Sequence, residues 1–95
     1  MDDKQIMTDP QALYDFARNV EYYMNELDTK IVSLQKEHYF MGSYWKDDQY
    51  KQMTEVVEEF KFEINKIKVD MDQLCQKVKE KALDLAEGSG VKVKV

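Results

Sequence analysis

GSYWKDDQY, residues Gly42–Tyr50, separates two long runs of helical periodicity, and its reading decides the fold. Gly42 is the only glycine between residues 1 and 87, and it follows the last periodic residue of the first run, as a helix-ending glycine does. Ser43, Tyr44 and Trp45 fit neither run. Asp47 or Asp48 then offers a side-chain oxygen and a negative charge to the N-terminus of a new helix. A short connection between two long helices makes them antiparallel neighbours.

Upstream, MTDPQAL carries the start signal. Thr8 and Gln11 have capping-box spacing, and Pro10 falls in the first turn, where its missing N–H is tolerated. Leu13, Ala17, Val20, Met24, Leu27, Ile31, Leu34, His38 and Met41 follow in alternating steps of 4 and 3, a heptad seam. Downstream, Tyr50, Met53, Val57, Phe60, Ile64, Ile67, Met71, Leu74 and Val78 repeat the pattern, extended by Ala82 and Leu85. The spacing predicts a first helix over about 9–41, a turn at 42–46 and a second helix over about 47–87. Asp47 with Lys51, Lys66 with Asp70 and Lys68 with Asp72 are spaced as intrahelical pairs on a solvated face. Residues 88–95 begin GSG and end VKVKV, which alternates as a strand does but has no local partner. They are expected to form a flexible end, with strand addition to a partner as the lesser alternative.

The composition fits this single all-α domain, an antiparallel two-helix hairpin. Of the 95 residues 35% are charged and 43% hydrophobic, with three glycines and one proline, too few turn residues for a sandwich or barrel. A net charge of −5 repels phosphate backbones, so nucleic acid is not an expected partner. MDDKQIMTD lacks the apolar core of a cleavable signal peptide, and no stretch approaches the ~20 apolar residues of a membrane span. The single cysteine, Cys75, leaves no internal disulfide framework; a small packed side chain and a thiol bridging two copies are the readings it permits.

Catalytic chemistry finds no constellation. His38 is the only histidine, no Ser-His-Asp or Cys-His set surrounds it, and no phosphate-binding glycine loop is present. One His and one Cys do not make a metal site. The chain is therefore expected to be no enzyme and to carry no cofactor and no metal.

Interaction is what remains. An isolated hairpin leaves a flank in water, yet Phe16 and Tyr23 lie beside the first seam and Phe62 and Val69 off the second. An apolar stripe wider than one seam suits a helix with two neighbours, so the hairpin is expected to pair with another as a four-helix bundle. Tyr39, Phe40, Tyr44, Trp45 and Tyr50 crowd the turn. Trp45 and Tyr50 are read as closing the hairpin's own tip; for Tyr39, Phe40 and Tyr44, packing and partner contact both stand open.

Over residues 6–85 the sequence resembles the WXG superfamily of small helical-hairpin proteins. The resemblance rests on the opening IMTDPQAL, two helices of similar length, the mid-chain Trp45, and the apolar Tyr50, Met53 and Val57 after it. Two features depart from the pattern. Asp47 stands where the motif has glycine, with Gly42 available for the turn. The C-terminal Tyr-x-x-x-Asp/Glu signal is also missing, because no tyrosine follows Tyr50. Tyr22–Glu26 and Tyr44–Asp48 have that spacing but lie inside the first helix and the turn. The resemblance implies a type VII secretion substrate, or a co-secreted partner without its own signal, with service as companion of a larger toxin or effector among the roles it allows. It further implies synthesis in the bacterial cytoplasm and export without a cleavable signal peptide. Homodimers, heterodimers with another helical hairpin or with the N-terminal helical domain of a larger secreted protein, and contacts with the secretion machinery are its implied partners. The motif site it implies is Gly42, Trp45 and Asp47, with Trp45 contributing to a composite export surface. A cytosolic helical adaptor or scaffold is the alternative reading.

Overall fold

The computed structural model describes residues 9–95 and contains two helices, α1 (Pro10–Met41) and α2 (Asp48–Ser89), with no strand among the described residues. The fold is the expected all-α hairpin. Asp9 caps the start of α1: its Oδ1 accepts from the Ala12 N–H at 3.0 Å. The capping-box expectation for Thr8 falls outside the described residues. Gln11, its other half, is engaged elsewhere, as described below.

The connection is tighter than a glycine-terminated helix end. Gly42, Ser43 and Tyr44 donate to the carbonyls three residues back, and the Trp45 N–H reaches Met41 O at 2.9 Å. Gly42 does not have positive φ; among the described residues only Gly90 does, at 75°. Gly42 is needed for space instead. A Cβ there would lie 2.6 Å from Tyr50 Oη and 3.1 Å from Tyr39 O, the latter being backbone that cannot swing aside. Asp47 starts α2 by accepting the Tyr50 N–H on Oδ1 at 3.1 Å.

The chain divides into two compact units, one comprising residues up to Tyr22 together with Met71–Val95, the other Tyr23–Asp70. Both contain antiparallel segments of α1 and α2. In the Tyr23–Asp70 unit the buried apolar residues are Met24, Ile31, Val57 and Ile64. Among the described residues of the other unit, the small Ala17, Cys75, Ala82 and Ala86 are buried.

On α1 the seam is covered as expected except at Leu34 and Met41, which are 39% and 44% exposed, while part of the α2 seam is shifted by one residue. Tyr50, Val57, Ile64, Met71, Val78, Ala82 and Leu85 are buried or half-buried as the pattern requires. Met53, Phe60, Ile67 and Leu74 are 43–54% exposed, and Thr54, Lys61, Lys68 and Cys75 lie inward instead. The α2 stripe is wide enough for either column to face α1, and polar partners on α1 decide between them. His38 Nε2 donates to Thr54 Oγ1 at 2.6 Å, and Asp28 receives the Lys61 ammonium at 2.9 Å. Lysine can take such a position because its methylene stem covers apolar surface while its head reaches a carboxylate. The expected intrahelical ion pairs do not close; the two ion pairs among the described residues, Lys61–Asp28 and Lys79–Glu21, join α1 to α2.

Candidate interaction surface

In the Tyr23–Asp70 unit the two flanks of the helix pair differ in chemistry. A residue four beyond a buried position lies on one flank of the contact line, and a residue three beyond lies on the other. Asp28 and Lys61 are each four beyond a buried residue (Met24 and Val57), and they close the first flank with a charge-assisted hydrogen bond. The Asp28 carboxyl is held below its ordinary range, above all by that bond. Partial desolvation opposes the shift, and the charges of Lys61 and Lys68 add to it.

The second flank is apolar and open. Leu34 is three beyond the buried Ile31, and Phe60 and Ile67 are three beyond the buried Val57 and Ile64. Met41 and Met53 continue the two columns by heptad spacing. In antiparallel helices like columns meet, so these five residues share one side. They are 39–46% exposed: each touches its own helix pair on one side and water on the other.

At the tip, Tyr50 is the hub. Its ring stacks on His38 with centroids 4.4 Å apart and 11° between planes, and Trp45 meets it edge-on at 5.5 Å. Tyr50 Oη donates to His38 O at 3.0 Å. Thr54 Oγ1 spends its one hydrogen on Tyr50 O at 2.9 Å. It must therefore accept at 2.6 Å from His38, which assigns the proton to Nε2 of the imidazole by inference from its partners. Tyr50 and Trp45 thus pack against each other, with Trp45 half-buried. Tyr39 and Tyr44 are the most exposed large residues of the tip, and Phe40 turns towards Tyr44 at 5.4 Å.

The residues singled out in the sequence do not form one surface. Gly42, Trp45 and Asp47 lie together at the turn as a packing glycine, a half-buried indole and a helix cap. Tyr23 is exposed beside the buried Met24. Phe62 and Val69 are also exposed, but each is two positions, or about 200°, before a contact-line residue, on the back of α2. The open flank passes instead through Leu34, Met41, Met53, Phe60 and Ile67. All five were assigned to the buried seam, and periodicity alone cannot separate a half-covered column from a covered one.

In the other unit, Lys79 pairs with Glu21 at 2.6 Å and lies 5.6 Å from the Tyr14 ring centroid. Phe16 and Leu74 are exposed there. Cys75 is buried, and its thiol is pushed up by burial first, then by Glu21 and Asp72, with Lys79 opposing. A buried neutral thiol is a poor nucleophile and is not presented to a second copy. Iodoacetamide at pH 8 should label the native protein at least tenfold more slowly than the urea-unfolded chain. Equal rates would show an open thiol.

Among the described residues no group of three or more His, Cys, Asp or Glu could hold a metal ion, and no helix is long and apolar enough to cross a membrane. The arrangement offers apolar area bordered by charge, suited to docking another helical surface. No family model, curated protein or solved structure matches the chain.

Proposed function

We propose that this chain is a helical-hairpin interaction protein that pairs with a second hairpin through the open flank of α1 and α2. The observation that carries this reading is the difference between the flanks. Asp28–Lys61 closes one, while Leu34, Met41, Met53, Phe60 and Ile67 remain half in water on the other. An apolar face of that kind marks an association surface.

Together with the WXG resemblance, this supports a type VII secretion substrate or co-secreted partner, acting by bundle formation, with a larger toxin or effector as one candidate for the partner. Synthesis in the bacterial cytoplasm and export without a cleavable signal peptide belong to the same proposal. The exposed Tyr39, Phe40 and Tyr44 at the tip are further surface for a partner or for the export machinery. A cytosolic helical adaptor with no secretion role is the alternative reading.

Two measurements test the proposal. Solution mass should be twice the 11.3 kDa of the chain, or that of a one-to-one complex with another hairpin. A monomer that gains no partner on co-expression with adjacent reading frames would overturn the pairing. The protein should also reach the culture medium only when a type VII apparatus is intact. Strict retention in cells exporting other substrates would leave the adaptor reading in its place.

A further inference from the structure

The C-terminal segment folds back. At the end of α2, Gly90 adopts φ 75°, its N–H donates to Glu87 O at 3.4 Å, and the Val91 N–H donates to Ala86 O at 2.9 Å. This paired 5→2 and 6→1 arrangement ends the helix and reverses the chain. The residues that follow then meet Gln11 in the first turn of α1. The Lys94 N–H donates to Gln11 Oε1 at 2.7 Å, and Gln11 Nε2 donates back to Lys94 O at 3.1 Å. The side-chain carboxamide thus does for Lys94 what a neighbouring strand's peptide group would do, occupying both its donor and its acceptor. The second Nε2 hydrogen goes to Asp15 Oδ1 at 2.9 Å. Asp15 fixes which way the amide faces: flipped, Oε1 would oppose a carboxylate and a carbonyl, and both Lys94 bonds would be lost.

We propose that Gln11 is the catch of a strap, holding Val91–Val95 against the start of α1, and that opening the catch releases a cationic, strand-patterned segment. Val91, Val93 and Val95 alternate with Lys92 and Lys94, and Val93 is half-buried in the closed form. Closed, the strap keeps Lys94 from pairing with another chain. Open, it presents an unpaired strand edge, the feature through which extended segments join a partner's sheet. Of the strap's valines only Val93 is half-buried, while Val91 and Val95 are exposed, so little apolar burial opposes its opening. The inference stands on this geometry and does not depend on the export reading.

Trypsin tests it on the intact protein, because it cuts after Lys92 and Lys94 and needs extended substrate with free peptide groups. The wild-type tail should be cleaved at least tenfold more slowly than a free peptide of residues 88–95. Gln11→Ala should bring the rate to within about twofold of the peptide. Gln11→Glu, which faces a carboxylate towards Asp15 and Lys94 O, should do the same. Circular dichroism should remain unchanged, since Ala and Glu are good helix formers. Deuterium exchange at the Lys94 amide supplies a second readout and should accelerate in both variants. A wild-type tail cleaved as fast as the peptide, or a rate unaffected by either variant, would overturn the proposal.

Discussion

Tyr50→Ala is expected to destabilise the protein by about 3–5 kcal/mol, the range for a packed aromatic truncated to alanine. Three contacts go together: the stack on His38, the edge contact with Trp45 and the hydrogen bond to His38 O. The two rings left behind then have no common neighbour at the tip. Such a loss is a large fraction of the ~5–15 kcal/mol stability of a small domain. Urea unfolding should show a lower midpoint at unchanged slope. Tyr50→Phe keeps both ring contacts and removes one hydrogen bond, so about 1 kcal/mol is expected. Trp45→Ala should fall between the two, because the indole is half-exposed and its one ring contact is with Tyr50. If Trp45→Ala cost more than Tyr50→Ala, the tip would be organised around the indole and this account of the hub would be wrong.

That ordering differs from the one the sequence suggests. A lone tryptophan beside a turn draws the eye, while Tyr50 reads as the first member of a seam. The strongest local signals were legible: a proline-started first helix, an aspartate cap at 47 or 48 and heptads on both sides of one break. These are local or strictly periodic, so they need no knowledge of what packs against them. The α2 register was half legible. Val57 and Ile64 had to face α1 in any arrangement, but the adjacent column was contested by Phe60 and Ile67 on one side and Lys61 and Lys68 on the other. Hydropathy favours the first pair. Asp28, 33 residues from Lys61, tips the balance, and such a pairing is invisible until the helices are set side by side. The role of Gly42 was misread for a similar reason: its requirement comes from the phenol of Tyr50, not from its own backbone angles. The Gln11–Lys94 contact spans 83 positions and could not be read from the tail, whose alternation announces a strand without naming what it meets.

The register shift also gives the pairing proposal its sharpest test. The pair Phe60→Asp and Ile67→Asp should weaken self-association or partner binding by at least about 100-fold. Burying one such side chain contributes roughly 1.5–3 kcal/mol, and each tenfold in affinity is about 1.4 kcal/mol. Placing two carboxylates in the interface adds a desolvation penalty. Because both residues are already more than two-fifths exposed in the single chain, the helix content of the variant should persist, and circular dichroism separates lost pairing from lost fold. The control is Phe62→Asp with Val69→Asp. Those residues carry comparable apolar side chains at greater exposure, 62% and 57%, but on the back of α2. A hydrophobic patch acting non-specifically would respond to both pairs of substitutions alike. An interface set by the open flank responds only to the first. If the back-face pair instead abolished the dimer while the Phe60 and Ile67 variant kept it, the partner would lie behind α2, and the flank left open by Asp28–Lys61 would not be where the bundle closes.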